Sequence, residues 1–292
     1  LNFEFKDMTP EQYCEQKTAR SGSSFYYSFL FLPAEQRRAI MALYAFCREV
    51  DDVVDDCAEA AVAQAKLGWW REEIARLYEG APQHPVTRAL HTVIARYALA
   101  QEHFQEIIDG MAMDLVQTRY ASFKELSLYC YRVASVVGLM AAAIFGYEDR
   151  HTLKYAHDLG MAFQLTNILR DVGEDAARGR IYLPADEMAR FGVSADDVLA
   201  RRMSDGMREL LRCQAQRARA YYDKAFAQLP AVDRYHQRSG LIMAAIYLST
   251  LDAIEQQGYP VLQRRVRLSP WRKLWIAWRT ARGEARRQRR IG

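Results

Sequence analysis

Two apolar, helix-forming runs in this chain each end in carboxylates: Asp51-Asp52-Val53-Val54-Asp55-Asp56 and Asn167-Ile168-Leu169-Arg170-Asp171-Val172-Gly173-Glu174-Asp175. Residues four apart share one face of a helix. Asp51 therefore stands with Asp55, and Asn167, Asp171 and Asp175 form a line of three. Like charges at that spacing repel, and carboxylates buried without partners are costly or take up protons. A chain carrying both clusters must fold so that something compensates them. Divalent cations holding a phosphorylated ligand between helices would do so. Taken alone, the first cluster also reads as a solvated helix end. The second follows residues 159–166, an apolar run of the kind found inside bundles, and sets Gln164, Asn167 and Asp171 on one stripe.

Helical periodicity extends over nearly the whole chain. Thr9-Pro10-Glu11 has the pattern of a cap followed by proline in the first turn. Pro33-Ala34-Glu35 opens a helix through Ile40, Leu43, Tyr44 and Cys47, and Asp51 and Asp55 extend its far end. A helix through Trp69, Trp70, Ile74 and Leu77 stops at Gly80-Ala81-Pro82. The spacing predicts further helices over 85–98, 104–118, 123–145, 150–171, 203–228 and 232–257. No alternating run of strand length is bounded by turn signals at both ends. Residues 179–184 read as an irregular connection with a proline stop. One all-α domain is the expectation, and 292 residues are enough for a large core. The longest mostly apolar stretch, 133–145, reads as too short to span a bilayer and is interrupted by Ser135 and Gly138. No secretory pattern stands before the first helix. Five scattered cysteines without a knuckle spacing point to a reducing, cytoplasmic setting.

The net charge of +4 conceals an asymmetry. Residues 264–292 hold eleven Lys or Arg and one acid, leaving 29 basic and 35 acidic residues in the rest, a net of −6. The body is thus acidic, which argues against nucleic acid as a partner of the whole protein. Arg48, three residues before Asp51, and Arg170, immediately before Asp171, read either as phosphate ligands or as charge partners. Ser21, Ser23 and Ser24, ahead of Phe25-Tyr26-Tyr27, read as helix caps or phosphate contacts. Six histidines lie without ligand spacing, and there is neither a P-loop nor a Gly-rich dinucleotide fingerprint.

Three motifs in order carry a resemblance. They are Tyr44-Ala45-Phe46-Cys47-Arg48-Glu49-Val50-Asp51-Asp52-Val53-Val54-Asp55, then Tyr129-Cys130-Tyr131-Arg132-Val133-Ala134-Ser135-Val136-Val137-Gly138, then residues 164–175 continuing to Arg178-Gly179-Arg180-Ile181-Tyr182-Leu183-Pro184. From about Tyr13 to Arg265 the chain resembles the squalene and phytoene synthase family, the head-to-head prenyltransferases. The resemblance implies an isoprenoid synthase fold, a single-domain helical bundle around a central cavity where two prenyl diphosphates bind through Mg2+. It implies metal binding by Asp51, Asp55, Asn167, Asp171 and Asp175. It implies diphosphate or substrate contact by Ser24, Phe25, Arg48, Tyr182, Tyr247 and Arg265, and places for Tyr129 and Gln164 lining the reaction channel; Arg170, from its position beside Asp171, is expected among the substrate contacts. Ser135 stands where many members have glycine, a departure from the carotenoid branch.

Within the family, the middle motif and the basic, Trp-containing C-terminus are similar to the bacterial hopanoid-pathway presqualene diphosphate synthases. That similarity implies farnesyl diphosphate as substrate. Phytoene synthase, using geranylgeranyl diphosphate, is the nearest alternative, with dehydrosqualene or squalene synthase next. A non-enzymatic scaffold that binds nucleic acid or membrane is the alternative of a different class. The catalytic domain is expected to span 1–267, with 268–292 as a basic tail. There Trp271, Leu274, Trp275 and Trp278 share one helix face among Arg272, Lys273 and Arg279. Two uses fit that face: peripheral contact with the inner face of the cytoplasmic membrane, or packing of the tryptophans on the body.

Overall fold

The computed structural model describes residues 8–21, 24–57 and 59–291, with side chains to 290. Its helices are α1 (Pro10–Arg20), α2 (Ser24–Phe29), α3 (Ala34–Asp56), α4 (Ala60–Tyr78), α5 (Pro85–Arg96), α6 (Gln101–Val116) and α7 (Phe123–Cys130). They continue as α8 (Val136–Phe145), α9 (His151–Ala177), α10 (Ala185–Arg190), α11 (Ala195–Leu199), α12 (Asp205–Gln228), α13 (Arg238–Gln256) and α14 (Pro270–Ile291). A π-helical turn, Tyr131–Ser135, joins α7 to α8, and a 3₁₀ turn, Pro260–Leu262, follows α13. Among the described residues there is no strand. The all-helical isoprenoid synthase fold is the architecture.

Local chemistry explains the starts of several elements. Thr9 and Gln12 form a reciprocal capping box at α1, with Pro10 in its first turn. Gly80 takes φ +84° beyond the end of α4, a left-handed turn that favours glycine. Buried Asp233 accepts hydrogen bonds from the Glu148 and Asp149 amides and the Thr152 hydroxyl, fixing the start of α9.

The centre of the bundle is α9, flanked by α12 on one side and by α8 and the π turn on the other. α8 and α9 come within backbone contact. A Cβ on Gly138 would stand 2.6 Å from the Ala156 carbonyl oxygen, and one on Gly160 would stand 2.6 Å from Ser135 Cα. Either side chain would force the helices apart, at a cost of roughly 1–3 kcal/mol. Ser135 fits this crossing because its hydroxyl is buried and donates to the His157 carbonyl at 2.9 Å.

Two sequence readings need correction. The apolar stretch at 133–145 continues without a break from α7, so Phe123–Phe145 is long and apolar enough to cross a membrane by length and composition. In this fold it packs against α6 and α9. Helix α9 ends at Ala177 rather than near Asp171, so Asp171 and Asp175 both project from regular helix. Within the expected tail, Pro270–Ile291 form α14, which packs along α13 and α2.

Candidate active site

A cavity of about 570 Å³ lies between α2, α3, α6, α7, α8, α9 and α13. Its inner part is apolar, with Phe25, Phe29, Leu43, Val137, Phe145 and Phe163 on its walls. Its other end is charged, because α3 finishes there with Arg48, Asp51 and Asp55 while α9 brings Asn167, Asp171 and Asp175. The two carboxylate clusters thus meet across one opening.

Arginines compensate the carboxylates. Arg48 binds Asp51 at 2.5 Å and Asp52 at 2.6 Å within α3. Arg178 and Arg180, just past the end of α9, reach Asp55 at 3.0 and 3.1 Å and so tie the second cluster's helix to the first. Arg170 grips Asp171 through Nε and Nη2 at 2.8 and 2.6 Å. Arg265 adds Nε to Asp171 at 2.9 Å and Nη1 to Glu174 at 2.9 Å.

Burial still outweighs this pairing at two positions. Asp51 is pushed up to about 6, chiefly by desolvation. Asp175 is pushed up to about 7, by desolvation and then by the charge of Asp171. The cations are crowded as well. Burial, then the nearby Arg170, lowers both Arg265 and Lys273, and Lys273 also feels Arg265 and Arg267. A mouth with cations this close together is suited to a multiply charged anion.

The donor set fits a divalent metal shared with such an anion. Asn167 Oδ1 is buried without a hydrogen-bond partner, a carbonyl-type oxygen facing the cavity beside Asp171 and Asp175. Among the described residues no three His, Cys, Asp or Glu side chains converge closely enough to hold a metal alone. Magnesium takes one or two carboxylates and completes its shell with phosphate oxygens and water, so a divided set of ligands suits it.

Between the charged and apolar parts stands a group that sequence reasoning missed. Asp114 on α6 accepts from Tyr129 at 2.9 Å and from Tyr182 at 2.7 Å, and the two rings stack with centroids 5.1 Å apart. Desolvation raises Asp114, and burial holds both phenols well above their ordinary value. The signal was a lone carboxylate in the apolar helical stretch Met111-Ala112-Met113-Asp114-Leu115. Arg178 and Arg180 lay in the third motif with no role assigned, and Lys273 was read only as part of the tail.

Of the residues marked in the sequence, Phe25, Arg48, Asp51, Asp55, Tyr129, Gln164, Asn167, Arg170, Asp171, Asp175, Tyr182 and Arg265 all line the cavity. Two do not. Tyr247 lies behind the wall, its ring 4.8 Å from Phe163 and 6.0 Å from Phe25. Ser24 begins α2 outside the lining, whereas Ser21 contributes to it; Ser23 lies outside the described residues.

A helical bundle that closes an apolar cavity with two facing carboxylate clusters is the framework of enzymes acting on prenyl diphosphates. The family model for squalene/phytoene synthase matches residues 18–272. The chain is 40% identical to a 15-cis-phytoene synthase of Synechococcus elongatus, over 89% of each chain. Its fold is similar to that of a dehydrosqualene synthase solved with a ligand, at TM-score 0.85 and 31% identity, covering 93% of this chain and 95% of that one. It is also similar to squalene synthase HpnC from Alicyclobacillus acidocaldarius, at TM-score 0.77 and 32% identity, covering 86% and 94%. The chain belongs to the squalene/phytoene synthase family of prenyltransferase-type enzymes.

Proposed function

We propose that the protein joins two farnesyl diphosphates head to head, releasing one diphosphate and forming presqualene diphosphate for hopanoid or squalene synthesis. The observation that carries this reading is the pair of carboxylate clusters, laced with arginines, at the mouth of an apolar cavity. Asp51, Asp55, Asn167, Asp171 and Asp175 would hold Mg2+, which when bound neutralises the diphosphate and eases its departure. Arg48, Arg170 and Arg265 bind phosphate oxygens once these displace their present carboxylate partners, and Lys273, close to Arg170 and Arg265, adds positive charge beside them. The apolar walls orient the two chains and keep water from the allylic cation. The second substrate's C2=C3 double bond attacks that cation, and loss of a proton closes the cyclopropane. The departing diphosphate is one acceptor for that proton; Tyr129, a neutral phenol whose hydroxyl donates to Asp114, would take it only while handing its own hydroxyl proton to the Asp114 carboxylate. Five free cysteines fit the reducing cytoplasmic setting.

A second reading is supported by the 40% identity to a phytoene synthase. In it two geranylgeranyl diphosphates are joined by the same groups. Phe25, Phe29 and Phe145 line the apolar part, and the first reading takes their bulk as the limit on chain length. Incubation with each diphosphate plus Mg2+, with and without NADPH, followed by mass spectrometry without phosphatase treatment, separates the two. A C30 diphosphate formed without NADPH supports the first reading, and a C40 hydrocarbon from geranylgeranyl diphosphate replaces it.

A further inference from the structure

Helix α14 has two unlike sides. The inner side packs on α13 and α2, with Ala277 fully buried, Ile276 nearly so, and Glu284 paired in two contacts with Arg234 at 2.8 and 2.9 Å. The outer side carries Trp271, Leu274, Trp275 and Trp278 in one stripe, and the three indoles are 81%, 54% and 49% exposed. Packing of the tryptophans on the body is therefore not what the fold does with them. The guanidinium carbons of Arg279 and Arg282 stand 5.2 and 5.3 Å from the Trp275 and Trp278 ring centres, and Arg286 and Arg289 are exposed on the turns that follow.

We infer that this face of α14 docks on an anionic lipid bilayer. Indoles with one apolar face and one polar N–H settle at the headgroup level, and arginines beside them meet lipid phosphates. The face carries no acid, so a second copy docked on it symmetrically would set like charges together, whereas an anionic bilayer complements it. Because Glu284 and Ile276 fasten the opposite side, the helix meets the bilayer as a fixed ledge of the protein. The ledge lies beside the cavity. Lys273 Nζ is 5.8 Å from the Tyr27 ring on α2, and the same short helix gives Phe25 and Phe29 to the cavity wall. Docking sets that wall next to lipid, a short way out for an apolar product; this last step alone rests on the prenyl-coupling reading.

Flotation of the whole protein with vesicles tests the inference. Wild type is expected to float with phosphatidylcholine vesicles containing about a third phosphatidylglycerol, and about tenfold less with phosphatidylcholine alone. A W271S/W275S/W278S variant and an R279Q/R282Q/R286Q/R289Q variant should each lose about tenfold of that binding, with unchanged circular dichroism and unchanged turnover in detergent solution. Equal flotation of wild type and the tryptophan variant overturns the inference. So does binding to soluble polyphosphate that matches vesicle binding and survives tryptophan removal, or lipid-independent sedimentation that follows protein concentration. Circular dichroism controls for folding, so the flotation result stands whether or not any prenyl diphosphate is turned over.

Discussion

The two carboxylate clusters have the same charge pattern but different surroundings. Asp51 and Asp55 sit in the last turns of α3, where the helix dipole already disfavours negative charge, and no basic residue occupies that final turn. Their help comes from Arg48 one turn back and from Arg178 and Arg180, which arrive from the far side of the opening. Asp171 lies within α9, with two arginines on one carboxylate, while Asp175 lies one turn further, where burial pushes its carboxyl up to about 7. The first cluster is therefore held from across the cavity and the second mainly from its own side. In the proposed function, phosphate entering the mouth exchanges the arginine–carboxylate contacts of Arg48, Arg170 and Arg265 for arginine–phosphate contacts, while Arg178 and Arg180 keep Asp55 tied to the end of α9.

The largest effect should come from neutralising one carboxylate in each cluster. Asp51→Asn and Asp171→Asn should each lower kcat/KM by about 10³-fold or more, with helicity by circular dichroism unchanged. Unchanged turnover in both would sink the metal assignment, and a large difference between them would show which side holds the leaving diphosphate. Next, Asp114→Asn should lower kcat by roughly 10–100-fold by releasing Tyr129 and Tyr182 from their shared acceptor. The double variant with Tyr129→Phe should be much less than additive; full additivity would separate the two residues.

The apolar part provides a control that leaves both clusters intact. Phe29→Ala should shift the preference toward geranylgeranyl over farnesyl diphosphate by about tenfold in competition. An unchanged ratio would move the limit on chain length elsewhere. The smallest effect is on stability. The raised values of Asp51, about 6, and Asp175, about 7, mean that the folded chain binds protons which the unfolded chain has already released. This contribution is fully present below the ordinary aspartate value and is lost as pH rises through 6 to 7. Asp175→Asn should therefore melt a few degrees above the ligand-free wild type at pH 8, with the gap closing toward pH 4. A constant gap across that range would remove Asp175 as its source.

What could be read in the sequence was local. The helix period, the cap at Thr9 and the carboxylate spacing all depend on residues within a few positions of each other. The clusters were legible because each forms its own pattern. Asp114 was not, since its partners Tyr129 and Tyr182 lie 15 and 68 residues away. The tie of Arg180 to Asp55 spans 125 positions and leaves no trace in either segment. Tyr247 was marked by the family resemblance alone, and in the fold Phe25 and Phe163 stand beside it at the wall. The outer stripe of α14 was visible as a pattern, yet only its packing revealed which side faces out.

The π turn at Tyr131–Ser135 has one more consequence. A turn that holds an extra residue works as a phase shift: the helix before it and the helix after it are rotated relative to one continuous α-helical winding. Upstream of the shift, Tyr129 meets Asp114; downstream, Gly138 meets the backbone of α9. Deleting one residue from the turn would leave composition and helix content nearly unchanged, but it would swing the upstream face by about 100° against the downstream one. Such a chain could satisfy either the phenol's contact or the glycine's, and not both.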